Sequence, residues 1–164
     1  NTPTYQTNTP VRAIFLDKKH NLWVGTKGNG ILRMSNYDAI TGTSSGVDKY
    51  LTSNSALNDN TVYCFAPSRQ ERLWIGTENG MCYYSYSEKS IKPFPLNAGG
   101  KAVRYIHSIV ELNDSTLWVS TVGEGIKHKN RYVWTFAIHK ISKKSHNRRR
   151  EKSVQLFLYF LSGK

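Results

Sequence analysis

Short apolar runs separated by short polar connectors fill the first 126 residues, and the same runs recur three times in one order. The most distinctive run reads Leu-Trp-aliphatic-Gly/Ser-Thr, at residues 22–26, 73–77 and 117–121. Another apolar run begins 11 positions before it in every copy, at 11–17, 62–68 and 106–112. A glycine-containing segment follows it in every copy, at 28–34, 78–84 and 123–129. Three segments in a fixed order with one constant offset indicate an internal repeat.

Each of these runs is predicted to be a β-strand. The runs are rich in Val, Ile, Trp, Tyr, Phe and Thr, which suit a pleated and packed surface. The connectors between them are short and polar, as hairpin turns are. Leu22, Trp23 and Val24 are consecutive apolar residues, which predicts a strand that is buried on both faces.

A fourth strand is predicted in the first two copies, at 47–52 and 90–96. Pro93 and Pro95 cannot donate a backbone hydrogen bond, so this strand should lie at the edge of its sheet. The first copy is longer because residues 37–46 are rich in Gly, Ser, Thr and Asp, which is typical of a surface loop.

Four strands per copy, repeated after 51 and then 44 residues, predict an all-β fold made of β-propeller blades. We expect a partial propeller at 1–126 with blades at 11–52, 62–96 and 106–126. The tryptophan that recurs in each copy (Trp23, Trp74 and Trp118) should fill the space between blades. Replacement of any of them by alanine should cost about 3–5 kcal/mol of folding free energy. Propellers close with about four to eight blades. Three blades therefore predict an open stack whose apolar faces favour association, including a homodimer.

Basic residues are concentrated at the end of the chain. Net charge is +12, and residues 127–164 hold 11 of the 23 Lys and Arg but only one of the 11 Asp and Glu. This composition predicts a solvated, disordered basic tail outside the repeats. A second interpretation is that 127–164 is not the natural continuation, as after a shift of reading frame. Nucleic acid is not an expected partner of the repeats, and the tail could contact it only nonspecifically, through phosphates.

The repeats closely resemble the two-component regulator propeller repeat. The residues that carry the resemblance lie at 11–17, 22–26 and 28–32 in the first copy, with matching segments up to 126 in the other two. This repeat builds the periplasmic sensor regions of hybrid two-component systems in gut-type Bacteroidetes. The resemblance implies a fragment of a periplasmic sensor that detects an oligosaccharide and signals to a histidine kinase. The remaining blades and the kinase portion of the parent sensor are then its expected partners. Ser120 departs from the glycine of the repeat.

The glycine-rich stretch 21–31 raises the alternative of a phosphate-binding loop. Such a loop needs a helix to follow it, or Gly-Lys followed by Ser or Thr. Here the chain continues as a predicted strand at Ile31, which favours a tight hairpin. No helix of membrane-spanning length is predicted either, because the longest apolar run, 156–161, is far too short.

No catalytic constellation is visible, so we expect a binding module and not an enzyme. The five histidines are not spaced as metal ligands, and no nucleophile elbow or carboxylate pair occurs. No metal and no cofactor are expected. Cys64 and Cys82 form no C-x-x-C pair; they are either small buried hydrophobic residues or one disulfide.

Three residues are candidates for ligand contact. Tyr83 and Tyr84 belong to an aromatic cluster, and aromatic faces beside polar groups are used in sugar sites. His107 lies in a predicted innermost strand and could face the propeller axis. The alternative for each is an ordinary packed strand residue. The main functional hypothesis is a glycan-sensing module; the alternative is a propeller scaffold for protein–protein contact without a small-molecule ligand.

Overall fold

The computed structural model describes residues 7–98, 101–113, 116–122, 126–128, 131–133, 136–142 and 153–158. Within these ranges the regular elements are β-strands, and they form three antiparallel four-stranded sheets and two short hairpins. None of the described residues forms a helix long and apolar enough to cross a membrane. The all-β, incomplete propeller predicted from the repeats is confirmed.

The first sheet, blade 1, is a simple meander. Its strands in order are β1 (Val11–Leu16), β2 (Leu22–Thr26), β3 (Ile31–Ser35) and β4 (Gly46–Tyr50). The second sheet, blade 2, repeats this order with β5 (Val62–Pro67), β6 (Arg72–Thr77), β7 (Gly80–Ser85) and β8 (Ser90–Phe94). β8 lies at the edge and carries Pro93, as a strand with a missing N–H requires.

The third sheet, blade 3, differs from the sequence prediction. It begins as expected with β11 (Ile106–Asn113) and β12 (Thr116–Val122), but its outer strands are β15 (Phe136–Ser142) and β16 (Ser153–Leu158). The segment expected to supply the third strand instead gives β13 (Ile126–His128), which pairs with β14 (Arg131–Val133) in a separate hairpin. A second small hairpin joins β9 (Asn97–Ala98) and β10 (Lys101–Ala102).

The expectation of a wholly disordered tail at 127–164 is therefore wrong for its described parts. The physical reason is a period-two pattern that the charge count obscured: Val154, Leu156 and Leu158 alternate with other residues, as in a strand. β15 pairs with the open edge of β12, and β16 then pairs with β15. The most basic run, 143–152, lies outside the described residues, and whether 127–164 is the natural continuation stays a prediction.

The first strands of the three blades lie side by side, and each has a bulge at the same place. The register shifts between Val11 and Ala13 in β1, and it shifts at the equivalent positions in β5 and β11. A bulge leaves one extra residue in the strand and re-aims its side chain. The three extra residues are Arg12, Tyr63 and His107.

The core consists of two apolar layers, one between each pair of neighbouring blades. The layer between blades 1 and 2 contains Trp23, Ile31, Leu57, Val62, Leu73, Ile75, Cys82, Tyr84 and Ile91. The layer between blades 2 and 3 contains Ala66, Trp74, Met81, Phe94, Leu96, Val103, Ile106, Ile109, Leu117 and Val119. Trp23 and Trp74 are buried between blades as predicted, whereas Trp118 is only half-buried.

The glycine of the Leu-Trp-aliphatic-Gly-Thr run lies at a close contact between neighbouring blades. A Cβ on Gly25 would lie 2.7 Å from Val62 Cγ1 of the next blade. A Cβ on Gly76 would lie 2.6 Å from Cys64 Sγ, 2.7 Å from Ile106 O and 2.8 Å from Ile106 Cγ2. Such distances are too short for any side chain, so glycine is needed here for close packing and not for a turn.

The stretch 21–31 is a hairpin between β2 and β3, and the phosphate-loop alternative is wrong. Gly28 and Gly30 have φ angles of 90° and 66°, a region that favours glycine. Their N–H groups both donate to the carbonyl oxygen of Asn60, at 3.1 and 2.8 Å. The amides that a phosphate would need are therefore already bonded to the segment between the blades.

Both cysteines carry free thiols, so the disulfide alternative does not apply. Cys64 and Cys82 are packed against apolar side chains, and burial raises the pKa of each thiol to about 12. They are small hydrophobic residues here, with little thiolate at neutral pH.

Candidate functional site

The three bulge residues form one continuous stack across the three inner strands. The His107 imidazole stacks on the Tyr63 phenol ring, with centroids 4.2 Å apart and 19° between the planes. The Arg12 guanidinium carbon lies 5.3 Å from the centroid of the same ring. Tyr63 is half-buried, whereas Arg12 and His107 are exposed. We call Arg12, Tyr63 and His107 the bulge column.

Two further residues of the blade 2–blade 3 junction border the bulge column. The Tyr63 hydroxyl donates to Glu78 Oε2 at 3.4 Å, and the N–H of Tyr105 donates to the Glu78 carbonyl oxygen at 2.8 Å. Tyr105 has a φ angle of 55°, which is rare for a bulky residue and costs conformational energy. Tyr105 is 37% exposed, and the Arg104 guanidinium carbon lies 5.4 Å from the centroid of its ring. The column thus opens onto an accessible aromatic and charged surface.

The electrostatics of the column keep His107 neutral at pH 7. Partial burial lowers the pKa of His107 below its usual value, and the positive charge of Arg12 lowers it further. Burial raises the pKa of Tyr63, and the negative charge of Glu78 adds to that effect while Arg12 opposes it. At neutral pH the site therefore presents a cation, a carboxylate, a neutral imidazole and phenol groups. Together they offer donors and acceptors to a polar ligand.

Of the three candidates from the sequence, only His107 lies in this site. Tyr84 is buried between blades 1 and 2, where Arg33 Nη1 donates to its hydroxyl at 2.8 Å. Tyr83 faces the other layer and packs edge-on against Trp74, with centroids 5.6 Å apart. Adjacent residues of a strand point to opposite faces, which is why these two tyrosines are separated. Both contacts are structural; whether any of the three candidates binds a ligand stays a prediction.

Sequence reasoning missed Arg12, Tyr63, Glu78 and Tyr105 as site residues. The repeat alignment contained a signal for the first two, because Arg12 and Tyr63 occupy the same repeat position as His107. What the alignment lacked was the bulge, which turns this position of every inner strand onto one shared surface. The described residues contain no group of three His, Cys, Asp or Glu side chains close enough to hold a metal ion.

Two segments of the chain match a known family of repeats. The family model described as "Two component regulator propeller" matches residues 5–28 and 56–79, which contain the Leu-Trp-aliphatic-Gly-Thr run of the first and second copies. These two segments are similar to the repeat of that family. The matched segments contain β1, β2, β5 and β6, and so they include Arg12 and Tyr63 of the bulge column but not His107, which lies in β11. No curated protein matches the sequence.

Two solved structures share the fold of these propeller repeats. Both are crystal structures of the extracellular domain of BT4673 from B. thetaiotaomicron, described once as a hybrid two component system and once as a one component system. The TM-scores are 0.61 and 0.63, with 20% and 19% identity over 82% and 84% of this chain. The matches cover 16% and 17% of those chains, so this chain spans about one sixth of their length.

Proposed function

We propose that this chain is a ligand-sensing module of a hybrid two-component signalling sensor, exposed in the periplasm, and that its ligand is an oligosaccharide. Support for the placement comes from the regulator propeller repeats and from the extracellular domains that share the fold. Support for a ligand site comes from one observation, the exposed bulge column formed by the same repeat position of three blades.

The chemistry of the bulge column suits a saccharide. The C–H face of a sugar ring is apolar and packs on aromatic faces, while its hydroxyl groups need both donors and acceptors. His107 and Tyr105 offer partly open ring faces, and Arg12 and Glu78 offer a charged donor and a charged acceptor. The Tyr63 ring already stacks on the His107 imidazole and contacts the Arg12 guanidinium, so Tyr63 would position His107 and not itself stack on the sugar.

Isothermal titration calorimetry of the chain with a panel of neutral oligosaccharides tests the site. His107→Ala should weaken binding of any oligosaccharide that binds by about tenfold, since stacking and hydrogen-bonding contacts contribute roughly 1–2 kcal/mol. His20→Asn is the matched control, because His20 is an exposed histidine in the β1–β2 turn and asparagine tolerates its φ of 58°. Equal binding by the wild type and His107→Ala would reject the column as the site. No binding across the panel would reject the oligosaccharide.

We propose that the remaining blades of the parent sensor cover the exposed face of β1. Val11 and Ile14 are 43% and 67% exposed, whereas the equivalent Ile106 and Ile109 of blade 3 are 0% and 5% exposed. A preceding blade would bury this face as blade 2 buries that of blade 3. The kinase portion of the sensor would then receive the signal through the neighbouring blades. A homodimer that uses the same face is the competing arrangement, and sedimentation of the chain at several concentrations distinguishes the two.

The same apolar face supports a second candidate function, a scaffold for protein–protein contact without a small-molecule ligand. Large exposed apolar surfaces on a sheet often mark such contacts. This candidate is favoured if no oligosaccharide binds and Ile14→Lys abolishes association with a purified segment of the parent sensor. It is rejected if His107→Ala removes measured oligosaccharide binding while association is unchanged.

We further propose that the chain binds its ligand without transforming it. The carboxylate beside the column, Glu78, accepts a hydrogen bond from Tyr63, which suits a recognition role. Incubation of the chain with a bound oligosaccharide, followed by chromatography, should return the oligosaccharide unchanged. The basic run at 143–152 lies outside the described residues, and for it we propose only the nonspecific phosphate contact that its charge implies.

A further inference from the structure

A cavity of about 460 Å³ lies at the opposite end of the inner strands from the bulge column. It is formed between the β1–β2 turn of blade 1 and the β5–β6 turn of blade 2, so two blades are needed to build it. Its volume lies within the roughly 300–1,000 Å³ of small-molecule sites. We call it the turn cavity.

Two cations at equivalent repeat positions line the turn cavity. Lys18 and Arg69 each stand seven residues after the first residue of their inner strand, Val11 and Val62. Both side chains are exposed, and neither makes an ion pair or hydrogen bond within the part of the chain that the structure describes. One ammonium group and one guanidinium group, from neighbouring blades 1 and 2, thus line the cavity with free hydrogen-bond donors.

The acidic groups of the turn cavity are already engaged. Asp17 Oδ2 accepts from Trp23 Nε1 at 2.8 Å, from the Tyr86 hydroxyl at 2.7 Å and from Asn21 Nδ2 at 2.9 Å. Asp17 Oδ1 accepts from the backbone N–H groups of Lys19 and Asn21, both at 2.8 Å. Both carboxylate oxygens of Asp17 thus accept hydrogen bonds from the protein, and neither is free to accept one from a ligand.

The remaining carboxylate, Glu71, forms an ion pair with Lys19 across the mouth of the cavity, with 2.6 Å between Nζ and Oε2. Both groups are exposed, so the pair is weak and can open at little cost. Lys18 and Arg69 are then left as uncompensated positive charges. Phe15, Leu16 and Pro67 supply apolar atoms to the lining. Arg72 also lines the cavity, but its guanidinium carbon lies 5.1 Å from the centroid of the Trp74 ring.

We propose that the turn cavity binds a small organic anion, whose carboxylate, sulfate or phosphate group bonds to Lys18 and Arg69 and whose apolar part packs on Phe15, Leu16 and Pro67. A guanidinium fork and an ammonium group that line the same cavity suit a single anionic group. The apolar lining explains why an organic anion is favoured over a bare ion. The site is separate from the bulge column and does not depend on the proposed saccharide at that column.

Titration of the 164-residue chain with glucuronate, followed by the backbone amide signals of residues 18 and 69 in a heteronuclear NMR spectrum, tests the proposal. Neutral glucose and inorganic sulfate are the companion probes: one keeps the ring without the charge, the other keeps a charge without the ring. Glucuronate should shift these signals saturably, sulfate more weakly and glucose not at all. Affinity for glucuronate should fall when NaCl is raised from about 0.05 to 0.5 M, since exposed charges are screened.

Three variants make the test specific. The double variant Lys18→Gln and Arg69→Gln should weaken glucuronate binding by about tenfold, because two charge-assisted hydrogen bonds are lost. Lys49→Gln with Lys89→Gln removes the same charge from exposed residues outside the cavity and should leave binding unchanged. Glu71→Gln should strengthen binding, because it frees Lys19 and removes a negative charge from the mouth.

Several results would overturn the proposal. These are equal shifts with glucose, equal losses in both double variants, weaker binding by Glu71→Gln, or no response to glucuronate and sulfate at millimolar concentration. His107→Ala should leave the glucuronate response intact. Failure of the bulge column and failure of the turn cavity are therefore distinguishable in one set of samples.

Discussion

Gly25 of β2 lies directly against Val62 of β5, so closely that a Cβ on the glycine would be 2.7 Å from Val62 Cγ1. The same relationship joins Gly76 of blade 2 to Ile106 of blade 3. The repeated glycine therefore sets the distance between blades. The residue it faces is the one that starts the next inner strand, just before the bulge residue.

Gly76→Ala should destabilise the fold by about 1–3 kcal/mol, since the new methyl group meets Cys64 Sγ and the backbone oxygen of Ile106 at 2.6 and 2.7 Å. Urea denaturation followed by tryptophan fluorescence measures this. Gly46→Ala is the matched control, because no atom lies within 4 Å of its added Cβ and its stability should be unchanged or slightly higher. Equal midpoints for the two variants would contradict the role of Gly76.

The three repeat tryptophans should differ in their contribution to stability. Trp23→Ala and Trp74→Ala should each cost about 3–5 kcal/mol, because the indoles are 0% and 3% exposed and fill the layers between blades. Trp118 is half-buried, so Trp118→Ala should cost less than either. Chemical denaturation of the three variants gives the order. An unchanged midpoint for Trp74→Ala would count against blade stacking.

Asp17 should make the stability of the chain sensitive to acid. Burial raises the pKa of Asp17, but hydrogen bonds from Trp23, Asn21 and Tyr86 outweigh it and leave the pKa below the usual 3.8. A carboxyl group whose pKa is lower in the folded than in the unfolded state stabilises the fold at pH values above the unfolded-state pKa. This contribution is lost as the pH falls through the folded-state pKa. Melting temperatures between about pH 5 and 2 should fall more steeply for the wild type than for Asp17→Asn. Parallel curves would show that the network does not hold the charged form.

Arg12 should help to keep His107 neutral. The folded-state pKa of His107 lies below 6.5 because of burial first and the charge of Arg12 second. Arg12→Gln should therefore raise that pKa toward 6.5, which titration of the imidazole Cε1–H signal by NMR measures. A histidine pKa that is lower in the folded than in the unfolded state stabilises the fold at pH values above the unfolded-state pKa, and this contribution is lost as the pH falls through the folded-state pKa. Arg12→Gln should therefore lose less stability than the wild type near pH 5–6. Arg104→Gln is the control at the same surface, and an equal shift in both variants would reject the contact.

Much of the fold was predictable from local pattern. The constant offset of 11 residues between Val11 and Leu22, repeated from Val62 and Ile106, specified hairpins of one length and hence blades of one kind. Pro93 placed its strand at an edge. The outer strands of blade 3 were missed because the basic residues of 127–164 suggested a disordered arm, while the alternation at 153–158 carried the strand signal.

The candidate site was only partly predictable. His107 was found from its place in an inner strand, but Tyr83 and Tyr84 were chosen for composition and proved to pack in the two layers between blades. The turn cavity was not predicted at all. Lys18 and Arg69 are 51 positions apart, and only the stacking of blade 2 on blade 1 brings their turns to one cleft.

The sequence by itself determined the repeat and the strand order within blades 1 and 2. These depend on the spacing of the apolar runs and on the alternation of side chains along each strand, which are present in each copy of the repeat. Only the tertiary structure decided which equivalent positions meet. A bulge in each inner strand re-aims Arg12, Tyr63 and His107 onto one surface, and the close packing of blades around glycine sets them at stacking distance. Contacts between copies depend on both partners at once, and no single copy of the pattern contains them.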